Sequence, residues 1–554
     1  MFCQTQKHID GVYISHLTDP VCRWKTEGKG TTEEYCEASA YGEAMEHICL
    51  HYAFNVSTVS EQAKKYREFV RYPDEVQYMI SDIPSISPII LDEMREPYIR
   101  LGRTIPQDSE LIALWEKILK SNSASFVPYY HVNNKETVLL PDEIMAKLCG
   151  TNGGGCGNTP EEAIGHAVDE IVERWCKYII FSKKLTPPEI PDSYLAKRCP
   201  DLLSIKHVIE SQGELRVFVL DASLGKQLPV VCIAIVDPKT KRYLVDFGCH
   251  PQFEIALERC FTEIFQQQHI VPELIARKDM SDWADFDSKT IFSQRNWIKL
   301  LEDNTGIWPS EFFGTTSSWP FQEWPVFESY SNKIGVHSQL NRLIDMGADI
   351  YIRNVGFLGF PVFKVYIKGI SISHINYTDE ILDDFSVTDK ISHFLSGTLS
   401  RSEMLQFSKK IFGKDATIGR MFFSNLSNEE FDILHAAFLM EYDTTQKAYD
   451  VLRFWKSEEA VAIKRVLETA DSLSLESAIG SVKRFVDKDL YSFIDAFFSD
   501  HSFFDILAYY KISADSRKSM TGNGIQSDRD AFLKKIKDFM IEHKVSQDEI
   551  GNVI

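Results

Sequence analysis

The sequence predicts an α+β fold for residues 20–375 and an all-α region for residues 376–554. Two segments of alternating apolar residues indicate strands in the first part, and long helix-like segments rich in acidic residues lie among them. After residue 376 the strand-like alternation ends, and apolar residues recur at helical spacing. Strands mixed with long helices are typical of α+β or α/β domains, whereas helices alone indicate a bundle or a helical repeat.

The strands are predicted by two segments with clear turns. Residues 216–248, RVFVLDASLGKQLPVVCIAIVDPKTKRYLVDFG, contain three strand-like runs and a Pro-Lys-Thr turn. Residues 349–369, DIYIRNVGFLGFPVFKVYIKG, contain a strand, a glycine-rich turn and a second strand. A helix-like run, VHSQLNRLIDMG, precedes this second segment.

The C-terminal region is predicted to consist of helices. Ser427 and Glu430 form a capping-box pattern that opens the run FDILHAAFLMEY. Later helical runs resemble tetratricopeptide packing, although no clean 34-residue period is present. Residues 513–530 are polar and predict a flexible loop before a final helix. We expect this region to be an interaction or stabilising module.

The acidic helices of the first part are duplicated. The segments GTTEEYCEASAYGEAMEH (30–47) and GNTPEEAIGHAVDEIVER (157–174) match at a constant offset of 127 residues (157 − 30 and 170 − 43). Each contains two glutamates three residues apart, which lie on one face of a helix. A partial third copy, residues 256–266, contains Arg259, Glu263 and Gln266.

The paired glutamates indicate a cation site if the copies pack together. Carboxylates buried side by side repel each other unless a cation lies among them. Oxygen ligands favour Mg²⁺ over Zn²⁺, and Mg²⁺ often arrives with nucleotide phosphates, which Arg174 and Arg259 suit. The alternative is a solvated helix face, although repetition of the pattern favours a site.

Four motifs in order resemble those of the YcaO family of ATP-dependent enzymes that activate peptide backbone amides. They are GKGTTEEYCEASAYGEAMEH, TNGGGCGNTPEEAIGHAVDEIVERW, VLDASLG and FGCHPQFEIALERCFTEIFQ. The resemblance implies a duplicated domain in which acidic helices line a cleft for ATP and Mg²⁺. It implies Mg²⁺ ligands at Glu43, Glu46, Glu170 and Glu173. It implies nucleotide contacts at Asn158, Glu162, Arg174, Arg259 and Glu263.

The resemblance implies phosphorylation of an amide oxygen after a Cys, Ser or Thr side chain or a sulfide adds to the carbonyl. The helical extension resembles that of long family members that act as accessory factors for β-methylthiolation of a small-subunit ribosomal protein. The alternatives are an azoline- or thioamide-forming cyclodehydratase and a scaffold with a degenerate nucleotide site. We expect a peptide or ribosomal-protein substrate and a methylthiotransferase or peptide-recognition protein as partner; a homodimer is also compatible.

The chain departs from the family pattern at three places. His47 stands where an arginine is usual, which replaces a permanent cation with a titratable one. The run Gly153 to Gly155 replaces a small hydroxyl residue but leaves backbone N–H groups for an anion. Only 29 residues precede Gly30, so we expect the site to be truncated, degenerate or completed by a partner.

Composition excludes several functions. A net charge of −20 argues against direct binding of nucleic acid, which requires clustered Lys and Arg. The sequence has neither an apolar run of membrane-spanning length nor a secretion signal, so we expect a cytoplasmic protein without membrane contact. The 11 cysteines form no Cys-x-x-Cys pair, in keeping with a reducing compartment. Cys156 lies beside the expected phosphate site, and we interpret it as a small loop residue.

Overall fold

The structure is a computed structural model, and it describes most of the chain. The described residues are 2–9, 12–18, 25–51, 72–100, 104–119, 121–211, 215–240, 242–265, 291–292, 294–302, 304, 306–372, 393–412, 426–453, 455–470, 472–510 and 534–554. The predicted loop at 513–530 and Gln266 of the third copy lie outside them.

Twelve strands form three antiparallel sheets in the described residues. The strands are β1 (Phe2–Ile9), β2 (Val12–Thr18), β3 (Lys25–Gly30), β4 (Val76–Met79), β5 (Ser123–His131), β6 (Glu136–Pro141), β7 (Gly154–Cys156), β8 (Arg216–Asp221), β9 (Val230–Asp237), β10 (Arg242–Cys249), β11 (Ile350–Asn354) and β12 (Val362–Ile367). One sheet has the order β1-β2-β3, a second β10-β9-β8, and the largest β4-β5-β11-β12-β7 with β6 paired to β5. Both predicted strand segments are confirmed.

Helices pack around these sheets and make up the C-terminal region. They are α1 (Glu33–Cys49), α2 (Ile83–Ile86), α3 (Pro88–Arg100), α4 (Asp108–Leu119), α5 (Asp142–Cys149), α6 (Pro160–Ser182), α7 (Asp192–Arg198), α8 (Pro200–Ser211), α9 (Phe253–Phe265), α10 (Gln294–Glu302), α11 (Asn332–Asp345), α12 (Arg401–Phe412), α13 (Asn428–Tyr442), α14 (Thr445–Leu452), α15 (Glu458–Ala470), α16 (Leu475–Val482), α17 (Lys488–Phe497), α18 (Ser502–Tyr509) and α19 (Ile550–Val553). None of the described helices is long and apolar enough to cross a membrane.

Helix α6 is the central element of the first part of the chain. Its buried face, which includes Ala167, Ile171 and Cys176, packs in one core with apolar residues of β9, β10, β11 and β12. The opposite face of the β8-β9-β10 sheet, for example Ile233, packs on α9 in a second core. Because successive strand residues point to opposite faces, the continuous apolar run of β9 supplies both cores.

The chain divides into two compact units. The first contains residues 1–55, 66–379 and 529–554, and the second contains residues 56–65 and 380–528. Residues 529–554 lie in the first unit, although their helical pattern groups them with the C-terminal region in the sequence. Gln547 donates to the Asn354 carbonyl at 3.0 Å, and Ile550 is buried in the core around α6. These contacts join the segment to the first unit.

The second unit is helical, as predicted. Its core contains phenylalanines from several helices, among them Phe394, Phe438, Phe497 and Phe503. The capping box predicted at Ser427 is present, because its side chain accepts from the Glu430 N–H and Glu430 accepts from the Ser427 N–H. A tetratricopeptide-like arrangement remains a prediction.

Candidate functional site

Three strands each lead into a helix that lies unusually close to the strand backbone. In each case a glycine makes this approach possible, because a Cβ atom on it would lie well inside contact distance of a helix carbonyl oxygen. The would-be distances are 2.1 Å from Gly28 to Cys36 O, 2.3 Å from Gly155 to Ala163 O and 2.2 Å from Gly248 to Ala256 O. The three glycines are separated by the same numbers of residues as the three copies of the repeat. The third copy therefore begins at Gly248 on β10, whereas the match in the sequence began only at Ala256.

The first two helices of the repeat begin with the same cap. Thr32 (φ −130°, ψ 163°) accepts from the Tyr35 N–H, and Thr159 (φ −131°, ψ 156°) accepts from the Glu162 N–H. An extended N-cap residue whose hydroxyl accepts from the first turn fixes where a helix starts. The paired glutamates of α1 and α6 therefore lie at equivalent turns of equivalent helices.

Glu43 and Glu46 of α1 and Glu170 of α6 make up what we call the acidic cluster. Burial is the largest cause that raises the pKa of Glu43 to about 7, and the neighbouring Glu170 carboxylate adds to it. Burial and Glu170 likewise raise the pKa of Glu46 to about 8. The two duplicated helices thus bring three of the four predicted metal ligands into electrostatic contact, and burial together with this contact favours the protonated forms of Glu43 and Glu46.

The carboxylates at equivalent positions of the two helices have different partners. Glu170 pairs with Arg174 at 2.8 Å and accepts from the Gly153 N–H at 2.8 Å. Glu43 lies 3.9 Å from His47 and accepts from the Glu27 N–H at 3.1 Å. Burial lowers the pKa of His47 below its ordinary value, so this imidazole is neutral at physiological pH. Only the second helix supplies a permanent cation to its own glutamate.

Lys364 is a cation of the site that the sequence analysis missed. It lies on β12, is 8% exposed, and donates to the Asn152 carbonyl at 2.9 Å and the Gly150 carbonyl at 3.1 Å. Its charge lowers the pKa of Glu46, against the effect of burial. The indication in the sequence is a lysine inside the apolar strand VFKVYI, because a buried charge requires a nearby partner.

Glu173 belongs to a second group of carboxyls with Glu263 of α9 and Asp246 of β10. Burial raises the pKa of Glu173 well above its ordinary value, and Glu263 and Asp246 are its strongest acidic neighbours. Burial and Glu263 raise the pKa of Asp246 to about 7. Side chains three residues apart on a helix differ in direction by about 60°, so Glu170 and Glu173 interact with different neighbours. The four predicted metal ligands thus divide between two adjacent groups.

The second group has its own cations. Lys29 of β3 forms an ion pair with Glu263, and its charge also lowers the pKa of Glu43, so it lies between the two groups. Lys177 of α6 is buried, and Asp246 and Glu173 raise its pKa against the larger opposite effect of burial. Asp246 was also not predicted as a site residue. A carboxylate inside the apolar strand YLVDFGC could have indicated it.

Arg259, a predicted nucleotide contact, is fixed by a buried network. Its Nη1 donates to Asp169 Oδ2 at 2.9 Å and to the Cys249 carbonyl at 2.7 Å. Gln339 of α11 donates to Asp169 Oδ1 at 2.6 Å. Burial and the Arg259 charge lower the pKa of His166 to about 4, so this imidazole, which contacts the Cys156 carbonyl at 2.8 Å, is neutral.

The other predicted nucleotide residues lie at the start of α6. Glu162 accepts from the Asn158 backbone N–H at 2.9 Å and from its side-chain amide at 3.3 Å. Both residues therefore complete the helix cap. The expectation that the glycine run offers free N–H groups is wrong for its first two members, because Gly153 N–H donates to Glu170 and Gly154 N–H to the Thr151 carbonyl.

Cys156 lies on β7 and not in a loop, with its sulfur 3.0 Å from the position that a Cβ on Gly42 would occupy. Burial and the Glu46 carboxylate raise the pKa of this thiol to about 12. A thiol that holds its proton so tightly is a poor nucleophile. The structure thus supports a packing role for Cys156.

The site fits Mg²⁺ in charge and donor type. Within the described parts of the chain, no three His, Cys, Asp or Glu side chains lie close enough together to form a metal-binding group. Glu43 and Glu46 nevertheless have raised pKa values, the behaviour expected of buried carboxyl oxygens whose charge the neighbouring cations do not fully balance. Coordination would require the carboxylates to move closer together.

Comparison with known families identifies the class of protein. The model of the YcaO cyclodehydratase family, described as ATP- and Mg²⁺-binding, matches residues 27–371. The chain therefore belongs to the YcaO family, which confirms the resemblance found in its motifs. The family is described as binding ATP and Mg²⁺, which are the two predicted cofactors.

Several proteins are similar to this chain. The ribosomal protein S12 methylthiotransferase accessory factor YcaO of Escherichia coli K12 is 26% identical over 374 residues, which are 66% of this chain and 60% of that protein. The match thus covers less than two thirds of the relative. A solved heterocyclase with substrate and cofactor has a TM-score of 0.43 at 17% identity and covers 65% of this chain and 48% of its own. YcaO of Methanopyrus kandleri, solved with AMPPCP and Mg²⁺, has a TM-score of 0.41 at 16% identity over 67% of this chain and 87% of its own.

Proposed function

We propose that this protein uses ATP and Mg²⁺ to activate backbone amides of a peptide or ribosomal protein, and that it acts as an accessory factor for methylthiolation of a small-subunit ribosomal protein. The observation that carries the proposal is the acidic cluster, in which the duplicated helices bring Glu43 and Glu46 beside Glu170, and burial and the Glu170 carboxylate raise the pKa of both. Similarity to the S12 methylthiotransferase accessory factor supports the choice of substrate.

The residues have distinct roles in this proposal. Glu43, Glu46, Glu170 and Glu173 would hold Mg²⁺, which supplies charge neutralisation for the phosphates. Arg259, held rigid by Asp169 and the Cys249 carbonyl, would present its remaining N–H groups to a phosphate oxygen. Arg174 would exchange its Glu170 partner for phosphate. Lys29 and Lys364 would keep the positive potential that an incoming polyphosphate requires.

The reaction would convert a poor leaving group into a good one. A nucleophile adds to the amide carbon, and the resulting oxyanion takes the γ-phosphoryl group of ATP with release of ADP. Departure of inorganic phosphate then leaves the carbon bonded to the nucleophile. No side chain of the site is needed as a covalent nucleophile, which agrees with the tightly held proton of Cys156.

Two alternatives give different results in the same assay. If the protein is the proposed accessory factor, it should release ADP and phosphate from ATP, and the release should increase when ribosomal protein S12 is added. An azoline- or thioamide-forming cyclodehydratase, which the family description favours, predicts stimulation by a Cys-, Ser- and Thr-rich peptide and not by S12. A scaffold with a degenerate site predicts no release with either. Product analysis by phosphorus NMR distinguishes all three, and the absence of any Mg²⁺-dependent release would refute the proposal.

A further inference from the structure

A cleft adjoins the network that holds Arg259, because Gln339 belongs to the network and also lines the cleft. Water can occupy about 40 Å³ inside it, and its free space together with the part open to solvent is about 610 Å³. Its floor and walls are largely apolar, and Gln339 and Arg342 of α11 provide polar groups. The apolar contacts come from Leu228, Pro229, Trp324 and Phe327. None of the residues assigned to ATP or Mg²⁺ lines this cleft.

Gln339 gives the cleft a specific hydrogen-bond requirement. The residue is 5% exposed, and its amide nitrogen donates to Asp169 Oδ1 at 2.6 Å. Asp169 is also paired with Arg259, and a carboxylate can only accept, so the orientation of the amide is fixed. The amide oxygen Oε1 then has no hydrogen-bond partner among the described residues. A buried acceptor of this kind is costly unless a donor reaches it.

One wall of the cleft suits a peptide chain. Residues 320–327 lie outside any helix or strand. Trp324, which is 7% exposed, is held there because its backbone N–H donates to the Tyr194 hydroxyl at 3.1 Å. Prolines and aromatic rings beside an amide acceptor are the groups that bind extended peptides, because they contact apolar side chains while the acceptor takes a backbone N–H.

We propose that this cleft binds a segment of the peptide substrate, with a backbone N–H of the peptide donating to Gln339 Oε1 and an apolar side chain against Trp324 and Phe327. The peptide class rests on the proposed function, whereas the place and the hydrogen bond rest on this chain's own residues.

Occupancy of the cleft is coupled to the nucleotide side through one carboxylate. Asp169 is shared, because Oδ1 accepts from Gln339 and Oδ2 accepts from Arg259 at 2.9 Å. A ligand that holds Gln339 in place also holds Asp169, and therefore Arg259. Peptide and ATP should then bind with positive coupling, which by linkage acts equally in both directions.

The test uses a small probe on the full chain. N-acetyl-leucine N-methylamide has two amide N–H donors and one apolar side chain, and N-acetyl-proline N,N-dimethylamide has no N–H donor. Saturation-transfer NMR should show binding of the first probe and at least about tenfold weaker binding of the second. Ser338→Tyr places a large side chain of α11 in the cleft, leaves Gln339 itself unchanged, and should abolish the signal. Asn341→Tyr, on the same helix but outside the cleft, is the matched control and should leave it unchanged.

The coupling is read from nucleotide affinity. The first probe should raise the affinity for MgATP by about fivefold, within the usual range of coupling between sites. Gln339→Leu should remove this increase, and circular dichroism confirms that each variant is folded. The inference would be overturned by equal binding of both probes or by binding that persists in Ser338→Tyr. It would also be overturned if the parent bound neither probe, which is the result expected if the cleft holds only water. Probe binding without any MgATP binding would instead refute the proposed function and leave the cleft assignment standing.

Discussion

Helices α1 and α6 share one set of backbone features, which we call the frame, but their glutamates have different charged neighbours. In both, a glycine on the preceding strand allows close packing, a threonine caps the first turn, and two glutamates lie three residues apart. On α6 the next residue is Arg174, which pairs with Glu170 at 2.8 Å. On α1 it is His47, which burial keeps neutral, and the pKa of Glu43 rises to about 7. Backbone features therefore place the carboxyls, and the residue that follows each pair gives only α6 a permanent cation beside them.

The largest effect should come from breaking the shared frame. Gly28→Ala and Gly155→Ala each place a Cβ within 2.3 Å of a helix carbonyl oxygen, so the helix has to move away from its strand. We expect each change to lower the free energy of unfolding by about 3 kcal/mol or to prevent folding. Denaturant unfolding measures this. Gly480→Ala, with no atom within 4 Å of its Cβ position, should instead stabilise its helix by up to about 1 kcal/mol. A large difference between the first two variants would show that the frames are not equivalent.

Much of this frame could be predicted from the sequence, and much of the charge balance could not. The repeat of glycine, threonine and glutamate is visible at a fixed offset, and the strand pairs follow from alternation. The third copy was recognised only in part, because Gln252, the residue that precedes α9, stands where the other two copies have a threonine cap. Lys364 is remote in sequence from the motifs, and Asp246 lies just before the fourth motif without belonging to it; only the folded sheets bring both residues beside the glutamates.

The second effect is the pH dependence of the protein without Mg²⁺. Glu43 and Glu46 have pKa values of about 7 and 8 in the folded state, above the ordinary 4.5. A raised folded pKa means that their stabilising contribution is complete below about pH 4.5 and is lost as the pH rises to about 8. Glu43 is 37% exposed, so solvent screening reduces the total, and we expect about 2 kcal/mol. Thermal melts across this range should show the loss, and Glu46→Gln should reduce it. A flat profile would contradict the assignment.

Exchanging the two basic positions should move the charge balance between the helices. His47→Arg adds a permanent cation beside Glu43, lowers its pKa, and should recover about 1 kcal/mol of stability at pH 8. Arg174→His should introduce a new loss of stability with rising pH. Tyr35→Arg, an exposed position of α1, should shift stability equally at every pH. If His47→Arg behaves like Tyr35→Arg, His47 has no electrostatic role at Glu43.

His47 also bears on nucleotide binding. If it were a cation in place of arginine with an ordinary pKa, affinity would fall above about pH 6.5. Burial lowers the pKa of His47, so the fall should lie below that value, and affinity should be constant between pH 7 and 8.5 apart from the titration of the carboxyls. Calorimetric titration with the His47→Arg variant as reference measures the difference.

The smallest effect on stability should come from Glu173→Gln. The pKa of Glu173 is well above its ordinary value, so burial favours the protonated carboxyl in the absence of a cation, and glutamine has almost the same shape. Stability without Mg²⁺ should change by at most about 0.5 kcal/mol. MgATP affinity should still fall at least about tenfold, since glutamine cannot become a carboxylate ligand. A change in stability alone would make Glu173 a structural residue.

Proton release on nucleotide binding is the most direct measurement of whether the acidic cluster is a metal site. Metal ligands must lose their protons, so carboxyls with raised pKa values release them when Mg²⁺ arrives. Calorimetry of MgATP binding at pH 7 in two buffers of different ionisation enthalpy should show release of about one proton per protein. Release and affinity should both fall in Glu46→Gln but not in Glu34→Gln, an exposed position of the same helix. ATP binding of equal strength in excess chelator, with no proton release, would contradict the magnesium assignment.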